Sequence, residues 1–260
     1  MWFAKYQGLG NDFIVLDRAR CDVVLTPERT RALCDRRFGV GADGVLEVRA
    51  STTSIAEMVV HNADGSRAEM CGNGLRCVAR YLAQRDPELP GTYTLQTGAG
   101  PLTVQHIGND VSVQMGAVSD HGYRDVEIEN RLLRGHFVSL GNPHFVLYGD
   151  WTRDDALRLG PIIERHTAFP DGVNVSFATQ LENGIRLFVW ERGCGLTLAC
   201  GTGACATVAV GWLDGLLSTA QTTEVNLPGG PLQISGRPDS IFMRGPAEHV
   251  FDGEWTTPWP

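Results

Sequence analysis

The sequence predicts a mixed α/β protein built from two similar domains. Two segments open alike, "MCGNGLRCVARYL" at 70–82 and "ACGTGACATVAVGW" at 199–212, and each places Cys–Gly–polar–Gly before a helix-like apolar pattern. Three further matches recur in the same order: "LGNDFIVLD" with "LGNPHFVLYGD", "ADGV" with "PDGV", and "AGPL" with "GGPL". Their offsets of 128 to 131 residues indicate a duplicated domain, since solenoid repeats are far shorter.

Each half contains segments typical of both strands and helices. The strand-like segments are β-branched or aromatic and bounded by Gly or Asn, as in "DFIVLD", "LTVQHIGNDVSVQM" and "GIRLFVWE". Helical patterns occur in "ERTRALCDRR" and "RDDALRLGPIIERH". After the two CGxG motifs, apolar residues recur at i, i+3, i+4 and i+7, namely Leu75, Val78, Ala79 and Leu82, and Cys205, Val208, Ala209 and Trp212. The turn-rich "GAVSDHG" at 116–122 indicates the join between the halves.

Composition and charge restrict the class of partner. The chain has 260 residues, of which 43% are hydrophobic and 20% charged, with a net charge of -8, so we expect a packed globular protein. There is no basic run, which argues against nucleic acid and anionic membranes as partners. The first 20 residues have no apolar core, and no stretch is long enough to span a bilayer, so we expect a cytoplasmic protein.

Two of the seven cysteines stand at the start of a predicted helix. The odd count and the lack of a CxxC pair argue against a disulfide scaffold and against a zinc site, so we expect no metal. Cys71 and Cys200 directly precede the two helices, beside glycines. A helix start favours a thiolate and presents amide N–H groups that can hold a carboxylate. The sequence therefore predicts a sulfur base beside an anion site in each half.

This combination suits the inversion of an amino-acid α-carbon. One cysteine as thiolate and the other as thiol would supply a base on one face and an acid on the other. The helix starts would stabilise the charge that builds on the carboxylate as the α-hydrogen leaves. A pyridoxal phosphate enzyme would need a lysine Schiff base, but Lys5, in a strand-like segment, is the only lysine. We therefore expect no cofactor.

Three long motifs resemble the diaminopimelate epimerase family. They are "NADGSRAEMCGNGLRC" at 62–77, "GNPHFV" at 141–146 and "ERGCGLTLACGTGACA" at 191–206, within a similarity that covers essentially the whole chain. The resemblance implies two pseudo-symmetric domains, each with mainly antiparallel strands wrapped around a central helix, and an active site in the cleft between them. It also implies that the C-terminal segment returns to the first domain, which gives domains of 1–117 with about 247–260, and 118–246.

The resemblance implies a function and a set of residues. The implied protein is an epimerase independent of pyridoxal phosphate (PLP), which interconverts LL- and meso-diaminopimelate in the biosynthesis of lysine and peptidoglycan precursors. Its partner is this small-molecule substrate, and the resemblance is compatible with a homodimer. Cys71 and Cys200 match the acid/base pair, and His144 and Glu191 match groups that tune their protonation. The residues that match substrate-binding positions are Asn11, Asn62, Gly72, Asn73, Asn142, Asn174, Glu191, Arg192, Gly201 and Thr202.

Three positions depart from the family pattern, and two other functions stay open. Gly44 stands where some members carry Gln, while Cys194 and Leu196 stand where the family usually has Ala or Val and then Glu. One alternative is another amino-acid racemase on this scaffold, acting for instance on proline or histidine. The other is a thiol redox sensor in which Cys71 and Cys200 form a disulfide. Arg192 and the asparagines favour a long, doubly charged substrate, and exchange of an α-hydrogen would exclude the sensor.

Overall fold

The computed structural model describes residues 1–256, 258 and 259, and in these it contains four α-helices and 18 β-strands. The chain divides into two compact units. Unit 1 consists of Met1–Val113 together with Gly245–Pro260, and unit 2 consists of Gln114–Arg244. Among the described residues, no helix is both long enough and apolar enough to cross a membrane.

Unit 1 contains two helices and a sheet whose first strand comes from the C-terminal segment. The helices are α1 (Pro27–Cys34) and α2 (Gly72–Arg85). The strands are β1 (Trp2–Gly8), β2 (Asn11–Asp17), β3 (Gly44–Arg49), β4 (Ala56–Asn62), β5 (Arg67–Ala68), β6 (Thr92–Thr97), β7 (Gly100–Ile107), β8 (Asp110–Gly116) and β18 (Glu248–Glu254). Strand β8 continues past Val113, the last residue of this part of unit 1. Their pairing order is β18-β1-β2-β3-β4-β6-β7-β8, and β5 pairs with the end of β4.

Unit 2 repeats this arrangement along its own stretch of chain. Its helices are α3 (Arg153–Glu164) and α4 (Gly201–Leu213). The strands are β9 (Ser119–Ile128), β10 (Arg131–Ser139), β11 (Pro143–Tyr148), β12 (Asn174–Leu181), β13 (Gly184–Glu191), β14 (Gly195–Leu196), β15 (Thr223–Leu227), β16 (Gly230–Arg237) and β17 (Ser240–Pro246). Strand β17 continues past Arg244, the last residue of unit 2. Their pairing order is β9-β10-β11-β12-β13-β15-β16-β17, and β14 pairs with the end of β13.

The two units therefore share one topology, and the predicted fold class is confirmed. Pairing is antiparallel except at two steps in each unit, β2–β3 and β4–β6 in unit 1, and β11–β12 and β13–β15 in unit 2. The C-terminal strand β18 pairs with β1 in the same way that β9 pairs with β10. The strand that pairs with the first strand of this set is therefore β18, at the C-terminal end of the chain, in unit 1. In unit 2 it is β9, at the start of the unit.

A buried helix lies at the centre of each unit, as the apolar spacing predicts. In α2 the side chains of Leu75, Val78, Ala79 and Leu82 are fully buried against the strands. Helix α4 has no charged residue, and all but two of its 13 residues are buried, because Ala, Gly, Cys and Val let strands pack against it on every side. Each large apolar side chain buried in this way contributes about 1.5–3 kcal/mol. This packing fixes where each helix begins, and therefore where its preceding cysteine lies.

Candidate active site

Cys71 is the residue that caps the N-terminus of α2. Its backbone is extended, and its Sγ accepts a hydrogen bond from the backbone N–H of Gly74 at 3.3 Å. The first intrahelical bond runs from Leu75 N to the Cys71 carbonyl at 2.8 Å, so the amides of Gly72 and Asn73 precede it. The sulfur therefore lies at the positive end of the helix, next to amides that a carboxylate could use.

Cys200 occupies the equivalent position before α4, in a different environment. Its side chain is buried, and its Sγ lies 3.6 Å from the hydroxyl of Thr202. Burial raises the pKa of the Cys200 thiol well above its ordinary value, and the negative charge of Glu191 raises it further. The Thr202 hydroxyl and the Gly203 amide act in the opposite direction but do not prevail. At this helix start burial outweighs the hydrogen bonds to the sulfur, and Cys200 holds its proton at neutral pH.

Strand register shows which other positions in the two units are equivalent. Phe13 on β2 lies opposite Gly44 on β3, and His144 on β11 lies opposite Asn174 on β12. Asn11 and Asn142 each lie two residues before these positions, and they are equivalent as the repeat predicts. The match between "ADGV" and "PDGV" is displaced by two residues from this register, so it does not mark equivalent positions.

In unit 1 the structure brings Asn11 to the start of α2. The Asn11 Oδ1 accepts a hydrogen bond from Asn73 Nδ2 at 3.2 Å. Asn62 ends β4 opposite Gly44, and its side chain donates to the Ser66 hydroxyl at 3.0 Å in the turn that follows. The three asparagines named by the resemblance thus lie at the ends of two strands and at the start of the helix that Cys71 caps.

In unit 2 Asn142 makes the equivalent contact to the start of α4. Its Nδ2 donates to the Thr202 hydroxyl at 3.2 Å, and its Oδ1 lies 3.1 Å from Nε2 of His144. His144 is fully buried, and this burial together with the charge of Arg192 lowers its pKa from 6.5 to about 3. The imidazole is therefore neutral at physiological pH. Because Nε2 donates to Asn142, Nδ1 is the unprotonated nitrogen of the ring, and it is buried without a hydrogen-bond partner among the described residues.

Asn174 and Glu191 complete the polar set of unit 2. Asn174 donates to the Pro143 carbonyl at 2.9 Å and accepts from the Arg192 backbone N–H at 2.9 Å, so it ties the ends of β11 and β13 together. Glu191 accepts a hydrogen bond from the Thr197 hydroxyl at 2.5 Å. This bond holds the carboxylate on the side of β13 where its charge acts on the thiol of Cys200.

The side chain of Arg192 leads into a separate open cleft. Its Nη1 donates to the Asp171 carbonyl at 2.8 Å, and its methylenes lie against Gly172, where an added Cβ would be only 2.9 Å from Arg192 Cδ. The cleft has a volume of about 520 Å³ and is lined mainly by residues 164–172. None of the other residues that line it belongs to the predicted set. The guanidinium therefore contacts this cleft, while its charge also acts on the pKa of His144.

The three departures from the family pattern have local structural consequences. At Gly44 an added Cβ would lie 2.7 Å from the carbonyl oxygen of His61, so this backbone accommodates only glycine there. Cys194 is exposed in the turn between β13 and β14, where its N–H donates to the Glu191 carbonyl at 3.0 Å. Leu196 pairs with Trp190 and packs against the apolar core of unit 2.

Three side chains that contact predicted site residues were missed from the sequence. Asp43 accepts a hydrogen bond from Asn11 at 2.7 Å, Thr197 donates to Glu191, and Ser66 accepts from Asn62. An Asp before a Gly is typical of a turn and so does not indicate a site residue, while Thr197 carries no motif at all. The "ADG" at 42–44, just before a strand-like run, was the available signal for Asp43.

Solved structures share the fold of this chain. A PhzF-family phenazine biosynthesis protein from Bacillus anthracis has a TM-score of 0.79 with 16% identity and covers 99% of both chains. A hydroxyproline epimerase from Agrobacterium vitis has a TM-score of 0.73 with 16% identity and covers 97% of this chain and 91% of its own. At such low identity the likeness shows the fold, which is the two-domain fold of these proteins.

Sequence relatives identify the family. The family model for diaminopimelate epimerase matches residues 3–120 and 136–250. The diaminopimelate epimerase of Synechococcus elongatus is 42% identical over 96% of both chains, and that of Alkalilimnicola ehrlichii is 43% identical over 97% of both. A chloroplastic diaminopimelate epimerase of rice, Oryza sativa, is 42% identical over 96% of this chain and 79% of its own. The chain therefore belongs to the diaminopimelate epimerase family, and so to the isomerases, and the predicted resemblance is confirmed.

Proposed function

We propose that this protein interconverts LL- and meso-diaminopimelate, in the supply of lysine and peptidoglycan precursors, and that Cys71 and Cys200 are its acid/base pair. The observation that carries the proposal is the repetition itself. Each unit places a cysteine at the N-cap of its central helix, with an asparagine at or directly before the start of a neighbouring strand bound to the second residue of that helix. Membership of the family supplies the substrate.

The proposed reaction moves one proton at each sulfur. One cysteine, as thiolate, takes the α-proton, and the electron pair of the C–H bond stays on the α-carbon and its carboxylate. The other cysteine, as thiol, gives its proton to the opposite face of that carbon, so the two sulfurs exchange protonation states in each turnover. The raised pKa of Cys200 supports its role as the resting thiol, which leaves Cys71 as the resting thiolate.

The helix starts stabilise the charge that develops during this exchange. The α-hydrogen of an amino acid is very weakly acidic, so most of the barrier is the formation of negative charge on the carboxylate side. Amides of Gly72 and Asn73 in one unit, and of Gly201 and Thr202 in the other, are proposed to hold that carboxylate. Such fixed dipoles act strongly because they do not need to reorganise when the charge appears.

The environment of Lys5 supports a reaction without pyridoxal phosphate. Lys5 is the only lysine in the sequence. Its side chain is 8% exposed, forms an ion pair with Asp12 at 2.5 Å and donates to the Gly41 carbonyl. An amine buried in contact with these partners is not accessible to the aldehyde of a cofactor, as a Schiff-base lysine has to be. The neutral imidazole of His144 and the carboxylate of Glu191 are proposed to tune the two sulfurs. The remote end of the substrate is assigned to Asn62, Asn174 and Arg192.

Deuterium uptake from D2O at the α-carbon tests the substrate and the reaction class. Incubated with diaminopimelate, proline, histidine and other amino acids, the protein should incorporate deuterium into diaminopimelate alone and convert LL to meso. Uptake only into proline or histidine would identify another racemase. The absence of uptake with every amino acid, together with reversible oxidation of Cys71 and Cys200, would identify a redox sensor.

Alanine variants test the two cysteines. Cys71→Ala and Cys200→Ala should each lower epimerisation by at least about 10²-fold, because each removes a required proton carrier. Each should also keep deuterium exchange on one of the two diastereomers, the one whose α-hydrogen faces the remaining cysteine. Cys77→Ala and Cys205→Ala are matched controls, fully buried on the same two helices, and should change only stability. Near wild-type epimerisation by Cys200→Ala would contradict the mechanism.

A further inference from the structure

Asp43 lies where two site-bearing strand ends of unit 1 meet. Its backbone N–H donates to the Asp12 carbonyl at 2.9 Å, and its own carbonyl accepts from the N–H of Ala63 at 3.2 Å. These bonds place it between the start of β2, which carries Asn11, and the end of β4, which carries Asn62. The side chain of Asp43 is 40% exposed and is directed at Asn11, with Oδ2 2.7 Å from Asn11 Nδ2.

This contact determines which way the Asn11 amide faces. A carboxylate can only accept hydrogen bonds, so the Asn11 group beside Asp43 must be the NH₂ group. The Asn11 oxygen is then directed at Asn73, whose Nδ2 donates to it at 3.2 Å. The same Asp43 oxygen also accepts from the backbone N–H of Asp12 at 3.0 Å, which fixes the carboxylate itself.

The equivalent asparagine of unit 2 has the opposite orientation. There Asn142 presents its NH₂ group to Thr202 at the start of α4 and its oxygen to the ring of His144. The position that corresponds to Asp43 by strand register is Val173, which is buried and has no hydrogen-bonding group in its side chain. The two units thus set the same amide in opposite directions, and Asp43 is the residue that makes the difference in unit 1.

Two cations hold the carboxylates of this cluster in place. Arg36 Nη2 lies 2.7 Å from Asp43 Oδ1 and 2.6 Å from Asp12 Oδ1, so one guanidinium group bridges both residues. Lys5 forms the ion pair with Asp12 from the buried side. Burial acts to raise the pKa of Asp12, but the hydrogen bonds from Arg36 and Lys5 prevail and lower it. Asp43 therefore meets Asn11 as part of a fixed network rather than as a mobile surface group.

We infer that Asp43 is a positioning residue of the site: through its hydrogen bond to Asn11 it sets which atom of that amide faces the substrate and which faces the start of α2. The inference rests on the proposed function, in which Asn11 contacts the substrate. Each group of the amide keeps one further hydrogen-bonding position after its bonds to Asp43 and Asn73 are made. Without Asp43 the amide can rotate, and the donor and acceptor offered to the substrate exchange places.

A double-mutant cycle tests the inference. Asp43→Ala should lower kcat/KM for α-hydrogen exchange by about 10- to 100-fold, by analogy with the loss of hydrogen-bond partners that orient metal ligands. In an Asn11→Ala background the same change should have an effect below about twofold, because residues that act through one contact are not additive. Asp22→Ala is the matched control, since it removes another exposed Asp–Arg pair of unit 1 away from the site.

The side-chain amide signals of Asn11 provide a readout that does not depend on turnover. Assigned by their loss in Asn11→Ala, these signals should shift in Asp43→Ala and stay in place in Asp22→Ala. If the wild-type protein exchanges no amino acid, the proposed function fails, while these signals still decide whether Asp43 orients Asn11. Asp43→Asn serves the same test if the alanine variant does not fold, because its one oxygen cannot satisfy both Arg36 and Asn11.

Three results would overturn the inference. The first is an Asp43→Ala enzyme within twofold of wild type in kcat/KM. The second is an equal loss in the wild-type and Asn11→Ala backgrounds, which would mark Asp43 as a purely structural residue. The third is an Asn11 amide signal that does not move in either Asp43 variant.

Discussion

Replacing His144 by Phe should make unit 2 less sensitive to acid. The imidazole is fully buried, Nδ1 meets no acceptor among the described residues that could stabilise a protonated ring, and the pKa is lowered from 6.5 to about 3. Phe is the residue at the equivalent position in unit 1, where Phe13 is also buried on the same strand of the shared topology. The replacement therefore removes the titrating group while keeping a planar side chain in a site built for one.

The size and sign of the effect follow from the pKa difference between the folded and unfolded states. A histidine with a lowered pKa in the folded state binds fewer protons there than in the unfolded chain, so acid favours unfolding. Above pH 6.5 His144 does not lower the free energy of unfolding, and the amount by which it lowers this free energy grows as the pH falls from 6.5 towards 3. At 1.36 kcal/mol per unit, the free energy of unfolding at pH 5 should be lower by about 2 kcal/mol than at pH 8 through this residue.

Urea unfolding of both proteins at pH 8 and pH 5 measures this difference. All other titrating groups are common to the two chains, so the change between the two pH values in wild type, minus the same change in His144→Phe, isolates His144. We expect this difference in the free energy of unfolding to be about 2 kcal/mol. It does not depend on the packing change or on the lost bond to Asn142, because these contribute equally at both pH values. A difference below about 0.5 kcal/mol would show that the buried imidazole can be protonated in the folded state, and would refute the assignment of a neutral His144.

Two further substitutions test the environment of Cys200. Glu191→Gln removes a negative charge that raises the pKa of this thiol, so the midpoint of its alkylation rate against pH, followed by mass spectrometry, should move to lower pH. An unchanged midpoint would contradict the role given to Glu191. Gly203→Ala would place a Cβ 3.0 Å from Val189 Cγ2 and 3.3 Å from the Cys200 sulfur. Overpacking should lower the free energy of unfolding by about 1–3 kcal/mol, and the higher helix propensity of Ala should offset up to about 1 kcal/mol of this. We therefore expect a lower Tm, and a raised Tm would contradict this.

The local patterns predicted the elements well because those patterns depend on near neighbours. The strand-like "GIRLFVWE" is β13 from Gly184 to Glu191, and the apolar spacing after each CGxG motif identifies the buried faces of α2 and α4. The repeat likewise predicted that Asn11 and Asn142 are equivalent. The "ADGV" and "PDGV" match was misleading because a β-turn sequence can recur without holding the same place in a sheet.

The contacts that define the site are long-range, and no local pattern encodes them. Asp43 meets Asn11 across 32 positions of the chain, and Asn73 meets Asn11 across 62. From the sequence, an Asp before a Gly indicates a turn, since that is what most such residues do. The protonation of Cys200 was equally out of reach, because the helix start and the burial of the thiol have opposite effects and only the packed structure gives the burial.

The way in which the two units differ bears on how a duplicated scaffold can perform acid and base chemistry. The proposed mechanism needs one thiolate and one thiol, whereas a symmetric pair of half-sites would give both sulfurs the same protonation state. The backbone is repeated, so the difference has to come from side chains. Glu191 brings a charge to the thiol of Cys200, while the equivalent end of β4 carries the uncharged Asn62. Burial is thus the first cause of the raised pKa of the Cys200 thiol, and a carboxylate in place of an amide at the end of one strand raises it further, which under the proposed mechanism favours Cys200 as the thiol at rest.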